Sequence, residues 1–134
     1  MQLVESSQLS ALKAIYSDDV ELVSVTRTNF SAIEKLSRRL LQLRHPLKLQ
    51  WEQKPDDREA SDSQLPEVMD TEVRTMLIDL IAESSQMFGE LMGCPQIGVR
   101  LATLRSPMCP RFHVDQIPCR MIITLVGTGT EWIP

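Results

Sequence analysis

The sequence predicts an α+β domain with helices packed on a largely antiparallel sheet, and three observations carry that prediction. Ile33 to Leu43 and Val73 to Leu91 repeat apolar residues at the three- and four-residue spacing of an amphipathic helix. Val20 to Thr26, Leu47 to Glu52 and Ile97 to Ala102 are β-branched or alternate apolar with polar residues, as strands do. Finally, helices and strands mix in the first part of the chain and strands crowd together in the last, which suits a sheet completed late. With 134 residues, 43% of them apolar, the chain 1–134 has material for one domain with one core.

Taken in order, Leu9, Leu12 and Tyr16 mark a short first helix, with Ser7 as a possible cap and Ser17-Asp18-Asp19 as its closing turn. The strand over 20–26 follows. Asn29 or Ser31 can cap the next helix, and Ser31 with Glu34 would form a capping box. Ile33, Leu36, Leu40 and Leu43 are its apolar stripe, and His45-Pro46 should end it, because proline disfavours helical geometry at the preceding residue. Leu47, Leu49 and Trp51 then alternate with Lys48, Gln50 and Glu52 as a half-buried strand. Residues 54–64 are polar and lack periodicity, so they read as an exposed loop and the best internal linker. A long helix starts near Pro66 or Asp70 and stops at Gly93 and Pro95, with Met69, Met76, Met87 and Met92 mostly on or near its apolar side as core filling. Ile117 to Val126, nearly all apolar and β-branched, suits a central strand, and Gly127-Thr128-Gly129-Thr130 a turn. Because Trp132-Ile133-Pro134 comes directly after that turn, where another strand should begin, the sheet reads as incomplete and the chain as an N-terminal fragment of a longer domain.

Composition excludes several classes. A net charge of -4 argues against nucleic acid or an anionic membrane as a general partner. The stretch Lys35, Arg38, Arg39, Arg44, His45 and Lys48 is the one local basic candidate, and no aromatic platform accompanies it. It reads as a solvated helix face balanced by the acidic loop that follows. No apolar run approaches a membrane span, and Met1 to Asp19 lacks the layout of a secretory leader. Cys94, Cys109 and Cys119 are odd in number with no Cys-x-x-Cys spacing, so reduced thiols in the cytoplasm are expected.

The chemistry concentrates in Cys109-Pro110-Arg111-Phe112-His113-Val114-Asp115. In an extended chain Arg111, His113 and Asp115 share one face and Phe112 and Val114 the other. His113 and Asp115 then stand about 6–7 Å apart at the backbone, near enough for both to reach one divalent cation. They supply the His-x-Asp half of a two-histidine, one-carboxylate site. A zinc set of Cys109, His113, Asp115 and Cys119 is the alternative, though Cys109 lies beyond Pro110 and Cys119 sits in an apolar run. Equally, His113 could simply hydrogen-bond Asp115 and order a turn. Beyond Arg111 and Arg120 nothing marks a cysteine as an activated nucleophile, and no nucleophile elbow supports a serine triad.

That seven-residue run, the stretch with Arg120, and Gly127 to Trp132 resemble the central signature of a bacterial domain-of-unknown-function family, DUF1826; the strand from Asp19 to Thr26 and the helix after it also fit. The resemblance implies a longer domain carrying a further histidine before a last apolar strand. That arrangement is similar to the jelly-roll, or double-stranded β-helix, core of iron- and 2-oxoglutarate-dependent oxygenases, in which a His-x-Asp pair and a distal histidine bind iron, and this chain would carry an incomplete jelly-roll core. It also implies a link to bacterial metal homeostasis. His45 precedes the motif and cannot take the distal role, so the expectation is a half-site, His113 and Asp115, for Fe(II) or Zn(II). Arg111 and Arg120 would bind the anion of a small-molecule ligand or cosubstrate, Cys109 is an alternative thiol ligand, and the chain itself should turn over nothing. The competing expectation is a non-catalytic protein of metal handling or interaction.

Overall fold

A computed structural model describes residues 2–26, 30–43, 46–103 and 119–126. Helices and strands are mixed, as expected, but the described strands form two separate pairs rather than one largely antiparallel sheet. The first pair is parallel. Strand β1 (Gln2–Ser6) lies beside β2 (Val20–Val25), and a 3-10 helix over Leu9–Tyr16 connects them. The first helical stretch is therefore tighter than an α-helix and starts after Gln8, not Ser7; Leu9, Leu12 and Ile15 recur every three residues, the 3-10 repeat. With only two apolar residues in five, β1 has too little pattern to be read alone.

Helix α1 (Phe30–Leu41) begins at Phe30, which places Ser31 inside it and rules out Ser31 as the capping residue; Asn29 lies outside the described residues. The helix ends short of His45-Pro46. Its last turn tightens through Leu43 N–H to the Leu40 carbonyl at 3.2 Å, and Leu43 still packs against the core. Strand β3 (Lys48–Gln53) pairs antiparallel with β4 (Ile97–Ala102), placing Leu49 opposite Leu101, Trp51 opposite Val99 and Gln53 opposite Ile97. Trp51, Gln53 and Ile97 are buried, while Lys48, Gln50 and Glu52 face out, so the alternation in the sequence holds.

Residues 54–64 depart from the expected loop. After a turn at Lys54 to Asp57 they form helix α2 (Arg58–Gln64), with the Asp57 carboxylate accepting from Ala60 N–H at 3.0 Å. The reason is tertiary. Ser61 is buried and donates to Gln53 Oε1 at 2.8 Å, the same oxygen that accepts Trp51 Nε1–H at 2.7 Å. At the other end of α2 the Arg74 guanidinium donates to the Asp62, Leu65 and Pro66 carbonyls and the Asp62 carboxylate. A polar, aperiodic segment is thus helical because its few inward polar groups find partners.

Helix α3 (Thr71–Met92) has the ends the sequence marks: Asp70 caps the Glu72 and Val73 N–H groups, and Gly93 takes a left-handed φ of 64°. Its Val73 and Leu77 join Leu36, Leu47, Leu65 and Met69 in the core, with Met76, Leu49, Leu101 and Leu125 packed around them. Met87 and Met92 are half-buried. The expected central strand over 117–126 is not formed across its described part: Cys119 to Val126 carry no regular structure, and burial alternates residue by residue, leaving Ile122 54% and Val126 44% exposed. A strand buried on both faces would hide both.

Candidate functional site

The candidate metal site is approached from its flanks. Cys109, Arg111, His113 and Asp115 lie outside the described residues, whereas Thr103 on one side and Cys119 to Val126 on the other are described. Thr103 follows β4 directly and is tied to the buried Leu47 twice. Its N–H donates to the Leu47 carbonyl at 2.8 Å, and its Oγ1 accepts the Leu47 N–H at 3.1 Å. On the far side Leu125 packs against the core, and its carbonyl accepts a hydrogen bond from the Ser37 hydroxyl on α1. Between Cys119 and Leu125, alternation brings Cys119, Met121, Ile123 and Leu125 to the more buried side and Arg120, Ile122 and Thr124 to the exposed one. Both flanks of segment 104–118 are thereby fastened to the helix–strand body.

Of the residues singled out for the site, Arg120 and Cys119 are described, and Arg120 is exposed. Cys119, the second thiol of the zinc alternative, is a half-buried free cysteine, as is Cys94. Among the described residues no group of three or more His, Cys, Asp and Glu side chains could hold a metal ion. His113 and Asp115, the pair expected from the sequence to meet a metal, lie outside that search.

The described part of the basic stretch is used structurally. Arg39 on α1 forks to Asp70 at 2.7 Å and Glu72 at 2.9 Å, at the start of α3, and Lys35 also pairs with Glu72. Hydrogen bonds from Lys35 and then Arg39 hold the Glu72 carboxyl below its usual pKa. The basic face is thus balanced by α3, not by the segment that follows it in sequence. Arg38 remains on the surface, where Ile33, Glu34, Ser37, Arg38 and Leu41 line an open hollow of about 340 Å3. Ser37 and Thr103 escaped the sequence reading because one hydroxyl on a helix face and one after a strand carry no pattern; their partners are set only by packing.

The elements define a mixed α+β domain whose core joins α1, α3 and the β3–β4 pair, and the histidine–carboxylate motif falls in sequence between Thr103 and Cys119. The chain belongs to the family described as protein of unknown function, DUF1826, whose model matches residues 6–134. Neither the curated proteins nor the solved structures contain a match to it. No helix among the described residues is long and apolar enough to cross a membrane.

Proposed function

We propose that the chain is a metal-binding domain that holds one divalent transition metal through His113 and Asp115, on an oxygenase-like, incomplete jelly-roll core. One observation carries the reading: an imidazole and a carboxylate stand two residues apart in a segment whose flanks are fastened at Thr103 and Leu125. Such a pair converges on a cation when the backbone that bears it is held still. Fe(II), when bound, would supply open coordination positions for oxygen and a small-molecule cosubstrate. Arg111 and Arg120 bring guanidinium groups suited to that cosubstrate's carboxylate. Cys109 offers a thiolate if the metal is Zn(II). The reduced-thiol cysteine usage fits work in the cytoplasm.

A second reading, non-catalytic zinc handling in metal homeostasis, is favoured by the sequence, in which the other histidine, His45, precedes the motif and leaves a two-ligand set. Two protein ligands give exchangeable binding, which suits handing a metal on. Anaerobic titration with Fe(II) and Zn(II), with and without 2-oxoglutarate, separates the two. Tighter Fe(II) binding in the presence of 2-oxoglutarate supports the oxygenase-like reading; Zn(II) preference with no response to 2-oxoglutarate supports handling. If His113→Ala and Asp115→Ala bind both metals as the parent does, the ligand assignment is wrong under either reading.

A further inference from the structure

Helix α1 carries two sets of charges, and the chain itself uses one of them. Lys35 and Arg39 turn to α3, where they pair with Asp70 and Glu72. Glu34 and Arg38, each one position earlier, are exposed and make no ion pair among the described residues. With Ile33, Ser37 and Leu41 they line the open hollow on this helix, and Leu41 is 69% exposed. Ile33, Ser37 and Leu41 recur every four residues, so they form one ridge along the helix, with Glu34 and Arg38 on the same side of it. The Ser37 hydroxyl already donates to the Leu125 carbonyl, so covering this ridge strands no hydroxyl donor. The next residue after that carbonyl, Val126, is 44% exposed at the margin of the hollow.

We propose that this face of α1 docks a second copy of the chain, helix against helix and antiparallel, about a two-fold axis near Ser37. The argument is charge complementarity. A two-fold contact must be self-complementary, and a carboxylate and a guanidinium one turn apart on one side of a ridge satisfy that condition only when the helices run in opposite directions. Centred on Ser37, Ile33 of one copy meets Leu41 of the other, and Glu34 of each copy stands about 3 Å along the axis from Arg38 of the other, well within the reach of an arginine. A parallel pair would instead set Glu34 against Glu34 and Arg38 against Arg38. Five lining residues a side fall far below the roughly 20–30 of a standard interface, so the dimer is weak and reversible, with a dissociation constant on the order of 100 µM. The small side chain of Ser37 at the centre lets the two helices approach closely.

Sedimentation equilibrium of the full chain from about 10 µM to about 1 mM tests this, since that range brackets the expected constant. The parent should pass from monomer to dimer and no further, because a two-fold contact closes. Glu34→Arg and Arg38→Glu should each weaken association about 10-fold, since one substitution replaces attraction by repulsion at both symmetry-related positions. Leu41→Ser should weaken it by a similar factor through lost apolar contact. The decisive sample is an equimolar mixture of the two charge variants. Glu34→Arg leaves two arginines on the face and Arg38→Glu two glutamates, so the mixture should associate at least as tightly as the parent although neither variant does so alone. A variant that had merely lost its fold would not be restored by mixing. A parent that stays monomeric up to about 1 mM overturns the proposal and leaves the face to a different partner. Association that is unchanged in both charge variants, or lost in them without recovery in the mixture, overturns it as well. Raising the salt should weaken the parent dimer, and indifference to salt overturns the role given to Glu34 and Arg38.

Discussion

Gly89→Ala sets two opposing effects against each other, and the structure decides which wins. Gly89 is buried on α3 against the turn that leads from β3 to α2. A Cβ there would lie 2.6 Å from Pro55 Cγ and 2.9 Å from Pro55 Cβ. On propensity alone alanine in a helix interior is favoured over glycine by about 1 kcal/mol. The clash acts the other way. Pro55 is a closed ring and cannot swing aside as the tip of a long side chain would, so the turn must shift as a unit. That turn starts at Lys54, whose carbonyl accepts from Gln53 Nε2, and ends at Asp57, the cap of α2. Overpacking of this kind costs about 1–3 kcal/mol. The net expectation is destabilisation by about 1 kcal/mol after the helix gain, or about 3–6 °C in Tm for a chain of this size. Urea unfolding followed by far-UV circular dichroism measures it. Combining Gly89→Ala with Pro55→Gly removes both contacts, and the double variant should be more stable than Pro55→Gly alone because only the helix gain is left. A Gly89→Ala protein more stable than the parent would refute the argument that the Pro55 contact limits this position.

Gln53→Leu deprives the buried Trp51 indole N–H and Ser61 hydroxyl of their shared acceptor, and should cost about 2–3 kcal/mol in urea unfolding; a neutral result would mean that water or another acceptor serves both groups. The Glu72 carboxyl gives a pH signature. Its pKa is lowered in the folded state by Lys35 and then Arg39, so its contribution is present above the unfolded-state pKa and is lost as pH falls through the lower folded value. Glu72→Gln should therefore flatten the acid limb of the stability curve and leave the difference from the parent constant above neutrality. The effect should be small because the pair is exposed, and it should fade in high salt; an undiminished difference at the acid end would point to another carboxylate.

Much of the architecture is legible in the residues. Asp70 and Gly93 mark both ends of α3 because a capping carboxylate and a left-handed glycine act locally, whatever packs nearby. Leu47 to Glu52 and Ile97 to Ala102 are readable because a half-buried strand shows its period in the sequence. Helix α2 was hidden, since its stability comes from Ser61 meeting Gln53 and from Arg74 meeting the carbonyls at its end, contacts with neighbouring elements that leave no periodic trace within the segment itself. The apolar run through Ile123 misled for the converse reason. β-branched residues show that a segment can be a strand, not that a partner strand is there to receive it.

The same division holds at the site. By itself the sequence singled out the candidate pair, since only His113 and Asp115 place an imidazole and a carboxylate two residues apart, and it pointed to the family, through the contiguous run from Cys109 to Asp115. Tertiary structure decided what fastens that run's flanks: Leu47 and Leu125 reach Thr103 and Ser37 only because β3, α1 and α3 bury a common core. Side-chain chemistry is a property of each residue, whereas a hydrogen bond between positions 37 and 125 exists only after the chain has folded.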